Sequence, residues 1–189
     1  MDRDGSNRFT LISDYIDIGS AVYEYHDYET PNWTDENLVG SEWGSIAFSV
    51  KAFSESSWSI ALASRDTLDE FYVLEAHIGE DDFAPCIHPS STASFFTIVH
   101  SKTYESFPDV YETDLYEIEG RDLSSPSAST SAAGLLGDYD YSAYDELYPS
   151  FDKAGEILCF VSSDGYTDEV YTASYQIRNG LADEHSDLQ

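Results

Sequence analysis

The chain is short of basic residues: 8 Lys and Arg stand against 37 Asp and Glu in 189 residues, a formal charge of −29. Only Lys51, Lys102 and Lys153 are lysines. No basic patch can be assembled from so few cations, so direct binding to nucleic-acid phosphates is not expected. Long apolar runs are missing too. None approaches the roughly 18–20 residues needed for a membrane-spanning helix, so no membrane span is expected. The opening stretch MDRDGSNRFT has no apolar h-region, so no secretory leader is expected there. The only cysteines are Cys86 and Cys159, both in apolar, strand-like surroundings. One disulfide between them and two buried free thiols fit equally well. Catalytic signatures are also lacking. There is no G-x-S-x-G elbow and no glycine-rich loop after a strand. Among abundant serines and 37 acids, no triad or carboxylate pair stands out. The expectation is a protein that is not an enzyme.

The surplus of acid has a physical consequence. A small domain ordinarily carries a net charge of about 2–8. At low salt so many carboxylates repel one another and oppose compaction. The Debye length falls from about 10 Å at 0.1 M to about 3 Å at 1 M salt, so such a surface suits a high-salt environment. The competing reading is an acidic extracellular protein that binds calcium diffusely.

The chain is nevertheless rich in core material. It has 15 Tyr, 10 Phe and 3 Trp, and 41% of its residues are hydrophobic. This is a globular composition, with large side chains that favour strands. Residues 45–79 carry three alternating patterns in succession. Ile46, Phe48, Val50 and Ala52 fall on one face of the first, with Ser45, Ala47, Ser49 and Lys51 opposite. Trp58, Ile60 and Leu62 share a face of the second, and Tyr72, Leu74, Ala76 and Ile78 a face of the third. Each pattern predicts a strand with one buried and one wetter face, and the short polar links predict antiparallel neighbours. Residues 15–28 predict one or two further strands, as do 94–100, 110–120 and 169–177. EILCFVS (156–162), apolar at successive positions, predicts a central strand buried on both sides. Residues 29–44, 80–91 and 101–109 read as loops or connections, 121–135 as a flexible small-residue loop, and 181–189 as a polar tail. The expectation is one all-β domain over 1–189. It is an antiparallel β-sandwich or jelly roll of about eight strands with long loops, little helix and no internal repeat.

Candidate sites follow from residue type. Trp33 and Trp43, with Tyr139, Tyr141, Tyr144 and Tyr148, are aromatics in loop or acidic surroundings, suited to sugar or protein surfaces or to capping the core. Asp138, Asp140 and Asp145 offer calcium ligands, but Ala143 and Pro149 break the EF-hand pattern. Asp164, Asp168 and Glu169 form a looser acidic loop that could hold calcium or another cation; the alternative is a solvated acidic surface. Cys86, His88 and His77 are metal-type side chains one ligand short of a structural zinc site, and read as a loop cysteine and ordinary surface histidines. Asn32-Trp33-Thr34 is a glycosylation sequon, a pattern that also arises by chance.

Four segments, Phe48-Ser49-Val50-Lys51-Ala52, Ile60-Ala61-Leu62, Glu75-Ala76-His77-Ile78-Gly79 and Ile87, together resemble the farnesoic acid O-methyltransferase-type domain. ILCFVSSDGYTDEVYTASYQI resembles that domain's closing strand pair. The resemblance spans residues 48–87 and implies a β-rich binding or interaction module. It does not imply methyl transfer.

These readings converge on a non-enzymatic structural component of a larger assembly adapted to high salt. It would sit in a virion or outside the cell with other protein subunits as partners, a virion protein of a halophilic host being the natural case. The alternative is an extracellular or surface module that binds a glycan or protein, with calcium held at its acidic loops.

Overall fold

The computed structural model describes residues 15–18, 21–35, 38, 44–52, 56–64, 71–75, 79–92, 95–121, 129–135 and 144–176. Among them are twelve strands and no helix. The strands are β1 (Tyr15–Ile18), β2 (Ala21–Thr34), β3 (Ser45–Ala52), β4 (Ser59–Ser64), β5 (Phe71–Glu75), β6 (Asp81–Ile87), β7 (Phe96–Phe107), β8 (Val110–Arg121), β9 (Ser129–Leu135), β10 (Asp145–Phe151), β11 (Ile157–Ser163) and β12 (Asp168–Ser174). They form three sheets in chain order, β1–β5, β6–β9 and β10–β12, and every pairing is antiparallel. The all-β, sandwich-like expectation holds, with more strands than the eight anticipated.

The sheets stack in three layers with the second in the middle. Between the first and second lie Ala47, Ile60, Leu62, Leu74, Ile87, Phe96, Ile98 and Ile118. Ile87, Ile98 and Ile118 are register partners across β6, β7 and β8, forming a continuous apolar ridge. Between the second and third lie Val99, Leu115, Leu158, Phe160 and Tyr175, with Phe151 and Ala173 at the margin. Side chains alternate along a strand, so β7 sends Phe96 and Ile98 to one neighbouring sheet and Val99 to the other. Its first seven residues, Phe96–Lys102, are all buried.

The strand buried on both faces is therefore β7, and the expectation for EILCFVS is corrected. β11 buries Leu158 and Phe160 but leaves Ile157 45% exposed. Its second apolar face has no covering sheet among the described residues. The first sheet departs from expectation in the opposite sense. The face of β3 read as wetter is buried: Ser45, Ala47 and Ser49 are inaccessible. Ile46, Phe48 and Val50 on the other face join Ala61, Ala63 and Tyr28 in a separate cluster. The serines are tolerated inside because they bond to backbone. Ser45 Oγ accepts from Leu38 N–H at 3.0 Å, and Ser49 Oγ accepts from Ala84 N–H at 3.1 Å.

Several segments read as loops are strands. Residues 81–87 form β6, residues 29–34 belong to β2, and 101–107 extend β7 into a long hairpin with β8. The segment 121–135 ends β8 at Arg121 and supplies β9 from Ser129, because a small-residue sequence can still pair through its backbone.

An internal repeat also emerges. Each sheet has a strand interrupted by an X-Pro step, Thr30-Pro31 in β2, Ala84-Pro85 in β6 and Tyr148-Pro149 in β10. Thr30, Ala84 and Tyr148 all have positive φ (48°, 52° and 54°), and the register slips at each. Proline has no N–H to donate to a ladder, so it sits at a bulge. The three bulged strands adjoin one another in space, β6 lying between β2 and β10. Side chains stitch them: Thr30 Oγ1 and Ser49 Oγ both face Ala84 N–H, and Asn32 Oδ1 accepts from Ile87 N–H at 2.9 Å. The repeat is thus of antiparallel meanders stacked by their faces, with their bulged strands side by side.

Candidate functional site

The described residues bring sequence-derived candidates together at one place, the open end of the third sheet. A cleft of about 250 Å³ is lined there by Tyr144, Ser162, Asp164, Thr167, Glu169 and Tyr171. It lies on the face of β11 and β12 that turns toward the second sheet. Ser162 pairs with Glu169, and Phe160 with Tyr171, so these side chains share that face. The Phe160 and Tyr171 rings stack at 6.1 Å.

The β11–β12 hairpin turn is built by Asp164. Its Oδ1 accepts from Tyr166 N–H at 2.9 Å, Thr167 N–H at 2.7 Å and the Thr167 hydroxyl at 3.1 Å. Gly165 takes φ +79°, a conformation that favours glycine. The donors, Thr167 N–H first, hold the Asp164 carboxyl below the usual aspartate range. Glu169 Oε2 accepts from the Tyr171 hydroxyl at 2.9 Å. Tyr144 and Tyr171 are each 47% exposed. The site thus offers two half-exposed aromatic rings beside two carboxylates and two hydroxyls. That chemistry suits polyhydroxyl ligands by stacking and hydrogen bonding. Neither a general acid–base pair nor an activated nucleophile is evident in it.

Asp168, expected with Asp164 and Glu169, does not converge with them. It pairs with Ser163 and points from the opposite face of β12 to Glu169. Among the described residues, no three His, Cys, Asp or Glu side chains are placed to share an ion. Asp145 is committed to the fold, accepting from Thr113 N–H at 3.0 Å. Trp43, His77, Asp138, Tyr139, Asp140 and Tyr141 lie outside the described residues. Trp33 is 42% exposed, but at the end of a strand, where its indole N–H reaches Asp35 at 3.4 Å. Asn32 of the sequon has its side-chain oxygen committed to Ile87 N–H, inside the joint between the first two sheets.

No disulfide forms: Cys86 and Cys159 are both free thiols. Cys86 pairs with Val99 and so faces the third sheet from below. Cys159 alternates with Leu158 and Phe160 and points out of that sheet's far side. Burial pushes the Cys86 thiol up to about 11, a hydrogen bond with the Phe151 backbone pulling the other way.

Two buried polar constellations have no sequence signal beyond their residue types. His88, expected at the surface, is instead only 3% exposed and is held between the second and third sheets. Its Nε2 lies 2.9 Å from Gly155 O and its Nδ1 accepts from Ser90 N–H at 3.1 Å. Phe151 and Tyr175 flank the ring at 4.8 and 5.4 Å. Facing the first sheet, His100 Nε2 meets Asp82 Oδ1 at 3.1 Å with both side chains inaccessible. Beside it Lys102 pairs with Glu80 at 2.8 Å and lies over the Tyr116 ring at 5.0 Å. The bulge geometry that positions these groups could not be read from spacing alone.

No protein-family model and no curated protein sequence matches the chain. Among solved structures, one from a structural and mechanistic study of two prolyl endopeptidases is similar at 14% identity and a TM-score of 0.42. The match covers 83% of this chain and 21% of that one, so this chain spans about a fifth of the matched chain's length.

Proposed function

We propose that the chain is a non-enzymatic structural component of a larger assembly adapted to high salt, for which the particle of a virus of a halophilic host is the natural setting. One observation carries this reading. The hairpin tips are aromatic and bare: Phe107 is 70% exposed, Tyr111 62% and Tyr166 95%. Large rings held in water on a chain with a charge of −29 are suited to burial against other subunits once salt screens the carboxylates. Sedimentation velocity in about 3 M and about 0.1 M NaCl, where screening differs strongly, tests it. Discrete oligomers at high salt that dissociate or unfold at low salt are expected. A compact monomer in molar salt that also captures no partner from its native source would refute it.

The cleft supports a second reading, an extracellular or surface module that binds glycans. Tyr144 and Tyr171 would stack on the sugar, and Asp164 and Glu169 would hold hydroxyls or a calcium ion. A glycan array in calcium buffer tests this, with Tyr144→Ala and Tyr171→Ala as controls. A blank array, or affinity unchanged in both variants, would remove it. The likeness of residues 48–87 to the farnesoic acid O-methyltransferase-type domain supports either interaction role. That segment runs from β3 to β6, across the joint between the first two sheets.

A further inference from the structure

The first two sheets have apolar clusters on both faces: the first has one against the second sheet and one on its far side, and the second packs against both its neighbours. The third sheet has such a cluster on one face only, among the described residues. Its other face is fixed by register. Leu147 pairs with Val161, Val161 with Val170, and Cys159 with Ser150 and Thr172; Ile157 pairs with Ser174. Val170 is 72% exposed and Ile157 45%. No charged side chain lies among these residues. Asp168 borders only the end of the face marked by Ser163, and Asp145, the other register partner of Ser163, has its carboxylate bonded to Thr113 N–H of the second sheet.

We propose that a second copy of this chain docks on this face, third sheet against third sheet about a two-fold axis. This inference rests on the assembly reading above and names the surface. Three points support it. The contact would be sheet on sheet, as are the two contacts within the chain, although here a face meets its own copy. The face lets two copies of a strongly acidic chain meet without opposing carboxylates at the centre, and it offers no counter-charge to a basic partner. With the axis in the plane of contact and perpendicular to the strands, the Asp145–Asp168 end of one copy lies over the Ile157–Ser174 end of the other. An axis along the strands would oppose the acids. Three seven-residue strands present roughly 23 by 14 Å. That is well below the ~800 Å² per partner of a standard interface, so the dimer is weak, concentration-dependent and promoted by salt.

Cys159 sits near the centre of this face as a free, partly accessible thiol, whereas Cys86 is buried. A short bismaleimide added to the intact protein in about 3 M NaCl, where charge repulsion is screened, should give a cross-linked dimer. The product should be absent from Cys159→Ser. It should fall to that background in Ile157→Lys and Val170→Lys, which change exposed positions and keep the native circular dichroism spectrum. Sedimentation of the same samples completes the test. Oligomers without a Cys159 link, or a link that survives both lysine variants, would overturn this face and leave the assembly reading standing. A monomer in molar salt would overturn the dimer, and capture of a native partner would then decide the assembly reading separately.

Discussion

Acidification should weaken the joint between the second and third sheets through His88. Its Nδ1 is an acceptor for Ser90 N–H, so the ring is neutral with its proton on Nε2, donated to Gly155 O. Burial is the largest influence on this imidazole and moves its pKa below the usual 6.5, against the Gly155 carbonyl and the Asp152 charge. Because the folded value is lowered, the contribution of His88 to stability is complete above the unfolded value. It is lost as pH falls through the folded one. Protonation at Nδ1 would set two donors face to face. Truncation costs more than protonation. His88→Ala removes two aromatic contacts of ~0.5–1.5 kcal/mol each and hydrogen bonds worth ~1 kcal/mol each, and it leaves a cavity. A loss of about 3–5 kcal/mol is expected, as for other buried ring deletions. Denaturant unfolding in molar NaCl at about pH 7.5 and about pH 5, on either side of the ordinary imidazole value, reads both effects. His88→Gln should flatten the part of the pH slope that the wild type owes to this ring. Identical slopes for wild type and His88→Gln, or a cost under about 1 kcal/mol for His88→Ala, would refute the reasoning, since ordinary surface substitutions stay within about 0.5 kcal/mol.

Gly120→Ala should destabilise by ~1–3 kcal/mol, because a Cβ there would overlap the Phe96 ring in the core; Phe96→Leu should recover part of the loss in thermal melts. Ser49→Ala and Thr30→Val should each cost little, since either hydroxyl can receive Ala84 N–H. Together they leave that buried donor unsatisfied and should cost ~1–3 kcal/mol beyond additivity in a double-mutant cycle; an additive result would show that water replaces them. The unfolding midpoint should rise between about 0.1 M and about 3 M NaCl as carboxylate repulsion is screened. A midpoint independent of salt would remove the halophilic argument.

The strands of residues 45–79 were legible because alternation survives in β3 and β4, where Ile46, Phe48 and Val50 and then Ile60 and Leu62 keep strict period two. What alternation could not say was which face met another sheet. In β3 the inward face is Ser45, Ala47 and Ser49, small enough for β6 to approach and polar enough, at Ser49, to receive its Ala84 N–H. By size and polarity that face read as wet. The central strand was misplaced for a related reason. EILCFVS shows apolar residues on both faces, yet one face meets no sheet among the described residues, whereas FTIVHSK hides a histidine, a serine and a lysine in buried positions. Lys102 and His100 are tolerated there because Glu80 and Asp82 meet them, pairings that need the register of β6 against β7. The repeat was missed because its mark is geometric. Thr30, Ala84 and Tyr148 share no side-chain chemistry; each precedes proline and takes a left-handed conformation that kinks its strand. The cleft was half legible. Asp164 and Glu169 were visible as acids beside a Gly165 turn. Alternation along β12 then separates Asp168 from Glu169, so of three acids close in sequence two carboxylates line the cleft, together with Tyr144 and Tyr171.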